Sequence, residues 1–174
     1  MKSRNQVWAI GTAAMIALAF ASPAYAHETS EDALRSCPEL GNTYVQATLN
    51  NNYHIGFGPV LRSGPGGAVT ASGGIDATVS LTMNVSGTIG VNEIVQATQN
   101  AGFSGAASIS SKHSYAFSHD ITPGRYGNIQ FGNYGKQVSV KKTTVVSPCT
   151  FRIIASGTAI VPSRDTWGYK YWES

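Results

Sequence analysis

From Asp76 to Ile89 the chain alternates without an error. Ala77, Val79, Leu81, Met83, Val85, Gly87 and Ile89 fall on one side, and Asp76, Thr78, Ser80, Thr82, Asn84, Ser86 and Thr88 on the other. This period of two predicts one long β-strand with an apolar face and a Ser/Thr-rich face. It would span about 45 Å at roughly 3.3 Å per residue. The period then changes. Val91, Ile94, Val95 and Thr98 are spaced for one face of a helix, and Gly102 supplies a stop. Alternation resumes over 106–121, where Ala107, Ile109, Tyr115, Phe117 and Ile121 share a face interrupted by Ser111, His113 and His119. Two long strands joined through a helix are compatible with antiparallel pairing and with a parallel crossover.

The flanking sequence also reads as strands and turns. Tyr44 to Leu49 alternates, and Asn50-Asn51-Asn52 is turn chemistry because Asn tolerates left-handed backbone. Tyr53, Ile55, Phe57, Pro59 and Leu61 form a second alternating run. Ser63–Gly67, Gly73-Gly74 and Pro123-Gly124 are breaks. Ile129 and Phe131 open a strand, and Gly132-Asn133-Tyr134-Gly135 is a predicted tight connection. Val138, Val140 and Val145-Val146 follow, then an apolar strand from Cys149 to Val161 and an aromatic one from Trp167 to Trp172. The expected fold is all-β: an antiparallel sandwich or elongated sheet of about eight strands, with one short helix and one disulfide.

The first 26 residues look like an export signal. Lys2 and Arg4 precede an uncharged apolar run from Val7 to Phe20, and Ala24 and Ala26 occupy the small-residue cleavage positions. The apolar run is too short to cross a bilayer as a helix. Cleavage would leave a single β-rich extracellular domain, 27–174, and a secreted protein. Without Lys2 and Arg4, ten cations face nine acids, a net charge of +1. That balance argues against nucleic acid as a partner. Export also gives the two cysteines, Cys37 and Cys149, a meaning: in an oxidising compartment they are expected to pair.

Gly64-Pro65-Gly66-Gly67, Pro123-Gly124-Arg125-Tyr126-Gly127, Phe131-Gly132, Cys149 and the closing Val161-Pro162 and Trp167-Gly168-Tyr169 form a further pattern. It resembles small uncharacterised exported β-rich proteins of filamentous Gram-positive bacteria, a resemblance that carries no known active site. Separately, the Ser/Thr-rich strand pair resembles, in pattern, the insertion region of aerolysin-like β-pore-forming proteins.

Candidate chemistry is sparse. HExxH, GxSxG, P-loop and helix-opening GxGxxG motifs are absent from the sequence. Asp76, Asp120 and Asp165 fall at strand ends or loops. An N-terminal His27 could offer copper two nitrogens, but the residues after it do not carry the pattern of such sites, and no metal or cofactor is expected. The protein is expected not to be an enzyme. The aromatic residues Tyr126, Tyr134, Trp167, Tyr169, Tyr171 and Trp172 are candidate binding residues for a glycan, a cell-wall component or a protein partner. Two functions are compatible with this. The first is a secreted, non-catalytic binding or structural protein, with homo-oligomer formation open. The alternative is a small β-pore-forming toxin in which 76–121 inserts into a membrane, with Val79, Leu81, Met83 and Val85 toward lipid.

Overall fold

The computed structural model describes residues 37–164 and 166–174. The predicted export signal, His27 and Asp165 lie outside the described residues. The elements are β1 (Thr43–Gly56), β2 (Leu61–Ser63), β3 (Gly67–Gly74), β4 (Ala77–Ser80), β5 (Thr82–Ser86), α1 (Val91–Asn100), β6 (Ser108–Ser111), β7 (Ser114–Ile121), β8 (Gly127–Val146), β9 (Thr150–Val161) and β10 (Trp167–Glu173). The fold is all-β, and the strand ladders are antiparallel.

β8, 20 residues long, is the spine of an elongated six-stranded sheet. Along one edge it pairs with β2 and then β1; along the other it pairs with β10 and then β9. β5 completes the sheet on the far side of β9. Two smaller ladders, β3–β7 and β4–β6, belong to the segment between β2 and β8.

Two apolar clusters hold this segment to the sheet. At one end Val69 of β3 and Ile121 of β7 close over Ile129 of β8, with Phe117, Tyr169 and Tyr171 around them. At the other, Ile89 and Ile94 close over Val138, Val140, Ala155, Ala159 and Val161, with Leu81, Val85 and Phe103 packed alongside. Side chains alternate along a strand. Ile129 is odd-numbered while Val138 and Val140 are even-numbered, so the clusters cover opposite faces of β8. The passage between the faces lies near the β9–β10 connection, where Gly105 bridges Ser163 and the Ala106 amide donates to the Pro162 carbonyl.

Several local expectations are corrected. The 76–89 strand is not continuous: it breaks at Leu81, and its halves join different ladders. The 106–121 strand breaks likewise at Lys112-His113. Asn50–Asn52 does not turn the chain. β1 runs through it, and the register against β8 slips between Leu49 and Asn52, so Asn chemistry is used for a bulge. The 53–61 run ends as a strand at Gly56, before Pro59. Gly132–Gly135 is the interior of β8 rather than a connection. A side chain at Gly132 would meet the Ile55 carbonyl and the His54 ring, so glycine there permits close strand approach. The predicted helix is present, and Gly102 behind it has φ +86°.

Cys37 and Cys149 are bonded, with Cα atoms 5.7 Å apart and a sequence separation of 112. Such a bond belongs to an oxidising environment, extracellular or periplasmic. Among the described residues no helix is long and apolar enough to cross a membrane. The expected consequence of reduction is a lower urea midpoint. Loop entropy sets the loss at up to about 4–5 kcal/mol. Thiol alkylation of the native, unreduced protein should label nothing; two labelled cysteines would contradict the bond.

Candidate functional site

Residues 67–81 and 107–121 oppose each other in one register across two separate ladders. Gly67 faces Ile121, Gly74 faces Ser114, Ala77 faces Ser111 and Ser80 faces Ser108. The offset never changes, although the chain leaves strand geometry at 75–76 and 112–113. The gap is bridged by the Ile75 amide donating to the His113 carbonyl. One residue further, the Leu81 amide donates to the Ala107 carbonyl at 2.8 Å. Residues 67–81 therefore oppose 107–121 along a ribbon about 50 Å long at strand spacing. On its polar face Thr78 and Ser110 share a 2.7 Å hydroxyl hydrogen bond, and Ser80 donates to Ser108.

Beyond Leu81 the ribbon opens. Thr82–Ser86 pairs with Ile160–Ser156 of β9, and α1 folds against β1. Between Ala77 and Ser111 the only charged residue is Glu93, in the first turn of α1. The pair position just below this stretch sets Asp76 opposite Lys112, by the common register of the two ladders.

Glu93 fastens the tip. Its carboxylate accepts from Lys142 Nζ at 2.8 Å and from the Gly90 amide at 2.7 Å. The Lys142 ammonium first, and the Gly90 amide next, hold its pKa below the usual 4.5. Elsewhere desolvation, with Glu173 beside it, pushes the Tyr171 hydroxyl up to about 12. Burial, then the charge of Lys170, lowers the His54 pKa.

The four residues expected to face lipid share the apolar side of this segment but differ in depth. Val79 is buried (6% exposed), Leu81 and Val85 are half-buried, and Met83 is 45% exposed. Met83 departs from the buried position that alternation predicts because β5 is the outermost strand of its sheet. The candidate binding aromatics do not form one platform. Trp167, Tyr169 and Tyr171 share a face of β10 and pack inward. Trp167 stacks on Phe131 at 5.6 Å, Tyr169 lies 5.3 Å from Phe131, and Tyr171 stacks on His119 at 3.9 Å. Tyr134 donates its hydroxyl to the Tyr169 carbonyl and meets the His54 ring edge-on. Tyr126 lies beneath the Arg62 guanidinium at 4.1 Å, and Trp172 lies beside Lys170. Among the described residues no group of three His, Cys, Asp or Glu is arranged to hold a metal ion.

The register that joins the two ladders could not be found by periodicity, because alternation in each strand leaves their pairing open. The placing of Asp76 opposite Lys112 is the one feature whose signal was present, as the charges flanking a long stretch whose single charge is Glu93. No protein-family model matches this chain, and no curated protein is significantly similar to it.

Proposed function

We propose that the protein is a secreted, membrane-inserting β-hairpin protein whose segment 77–111 forms the transmembrane part of an oligomeric barrel. The observation that carries this is the one register shared by the two ladders of 67–81 against 107–121, extended past Leu81. On release from β9, Thr82 would face Ala106, Val85 would face Phe103 and Ile89 would face Gln99, with the turn near Ile94. One face then carries Val79, Leu81, Met83, Val85 and Ile89 opposite Ile109, Ala107, Gly105, Phe103 and Gln99. The other carries Thr78, Ser80, Thr82, Asn84, Ser86 and Thr88 opposite Ser110, Ser108, Ser104 and Asn100. A membrane strand needs about 9–11 residues with apolar and polar sides alternating, and both arms meet that length. The Asp76–Lys112 position would stay at the membrane surface, and His113 and His119 would stay outside it.

Physical chemistry also supports a detachable tip. β5 contributes five ladder positions at a sheet edge, and its apolar side chains are only partly covered. Moving them into a lipid-facing barrel wall removes from water the apolar surface that the resting fold leaves open. The freed backbone groups are paired again along the extended hairpin, as a bilayer requires. The test is dye release from liposomes by the exported protein. Oligomers that resist detergent, together with release, would support the reading. A protein that binds a glycan or wall polymer without release would instead favour the non-catalytic binding function, for which exposed Tyr126 and Tyr134 are the remaining surface candidates.

Glu93 gives a further expected result. The Glu93→Gln variant loses the ion pair with Lys142, which at this partly exposed site stabilises by about 0.5–1 kcal/mol. If that energy holds the tip down, release should quicken roughly two- to fivefold. The pH dependence follows from the lowered pKa. Such a carboxylate stabilises the docked tip above its ordinary 4.5, and the contribution is lost as pH falls through the lower folded value. Wild-type release should therefore accelerate on acidification below that range, and the variant should lack this component. Stopped-flow dye release across pH would measure both.

A further inference from the structure

Three glycines, Gly56, Gly132 and Gly168, stand side by side across β1, β8 and β10. They belong to the even-numbered face of β8, opposite the Ile129 cluster and in the half of the strand away from Lys142 and the hairpin tip. A row without side chains lets its neighbours lie down on the sheet. A methyl group at Gly168 would sit 3.5 Å from the Tyr134 ring, one at Gly132 would meet the His54 ring, and one at Gly56 would meet the Gln130 amide. Tyr134 is held at both ends, by its backbone in β8 and by its hydroxyl, which donates to the Tyr169 carbonyl of β10 at 2.7 Å. The ring therefore lies across the sheet and cannot swing away, yet it is 40% exposed. Gln130 is fixed as well, its amide donating to the Gly58 carbonyl. Groups held in place before a ligand arrives lose little freedom on binding.

We infer that this face binds an acidic saccharide polymer. Tyr134 supplies a ring on which a sugar stacks, and Lys170 and Arg62 supply the charge for its carboxylate or phosphate groups. Lys170 is the ladder partner of Gln130 and Arg62 of Asn128, so both project on the Tyr134 side of β8. Both are exposed, and among the described residues neither is in an ion pair. The nearest acids serve the other face: Glu173 pairs with odd-numbered Gly127, and Asp120 belongs to β7, which covers that side. Arg62 lines a recess of about 350 Å³ with Ser63, Gly64 and Tyr126, its guanidinium 4.1 Å above the Tyr126 ring. Trp172 adds a half-exposed ring beside Lys170. From Tyr134 to the row of Asn128 is about 20 Å along the strand, room for several sugar rings. A nucleic acid strand would carry many more phosphates over that length than two cations neutralise.

The experiment is calorimetric titration of the folded, disulfide-bonded protein with polygalacturonate, a phosphorylated mannan and neutral dextran. Polyglutamate and single-stranded DNA supply charge without a stacking pyranose. At least one acidic saccharide should bind tenfold or more tighter than dextran, polyglutamate and DNA, and the two acidic arms tell carboxylate from phosphate. Tyr134→Ala should lower that affinity at least tenfold. Lys170→Ala with Arg62→Ala should do the same and flatten the salt dependence. Both cations are exposed, so this second variant should keep the wild-type urea midpoint. Absence of binding to both acidic saccharides would overturn the proposal. So would dextran, polyglutamate or DNA bound as tightly, or substitutions without effect. The membrane-inserting reading is judged separately. Saccharide binding without dye release from liposomes would uphold this site and remove the pore function, whereas dye release without saccharide binding would remove this site alone.

Discussion

Joining β5 to β9 by a disulfide should abolish permeabilisation and leave the folded protein intact. Asn84 and Thr158 are direct cross-strand partners, and such partners in an antiparallel ladder have Cα atoms about 4.5–5.5 Å apart. That separation accepts a disulfide. Both side chains lie on the polar face of the sheet, so the replacement disturbs no core. The hairpin cannot extend past Leu81 unless Thr82–Ser86 leaves β9, so the oxidised variant should lose release by two orders of magnitude or more. Reduction should restore it. Because reductant also reaches the Cys37–Cys149 bond, the control is wild-type protein treated identically. Dye release by the fully oxidised variant at the wild-type rate would exclude extension at this ladder.

Val79→Asp should unfold the hairpin segment or the whole domain, whereas Met83→Asp should be mild. The two residues belong to one alternating run and one face. Val79 is closed in at 6% exposure, opposite Ile109, so a carboxylate there would be buried without a partner. That costs several kcal/mol, a large share of the 5–15 kcal/mol typical of a domain. Met83 is 45% exposed on the outermost strand, where a carboxylate keeps its water and the loss should stay within about 1 kcal/mol. Urea unfolding of both variants would decide. The same Met83→Asp change should nevertheless inhibit release strongly, because it sets a charge on the lipid side of the proposed barrel, where a charge is costly near the bilayer midplane. A variant that is stable yet inactive would separate the resting position of Met83 from its position in the membrane.

Hydrophobic periodicity alone determined the all-β class, the apolar and polar faces of 76–89, and the helix at 91–100. These depend on the directions of neighbouring side chains, which local backbone geometry sets. The pairing of Cys37 with Cys149 was legible because two thiols in a chain expected to be exported have one intramolecular choice. What only the tertiary structure decided was which strand each face meets. Period two is the same whether Thr82 pairs with Ile160 or with Ala106, so the break at Leu81 leaves no mark on the alternation. The exposure of Met83 has the same origin, since an edge strand has neighbours on one side only. Glycine and asparagine were ambiguous for another reason. Gly132 and Asn50 are compatible with a turn, but Gly132 serves the close approach of Ile55 and Asn50 a bulge in β1, and those uses exist only once a distant strand arrives. The juxtaposition of Asp76 with Lys112 likewise required the long-range register, because residues so far apart in the chain become neighbours only through the hydrogen-bonded ladders on either side of them.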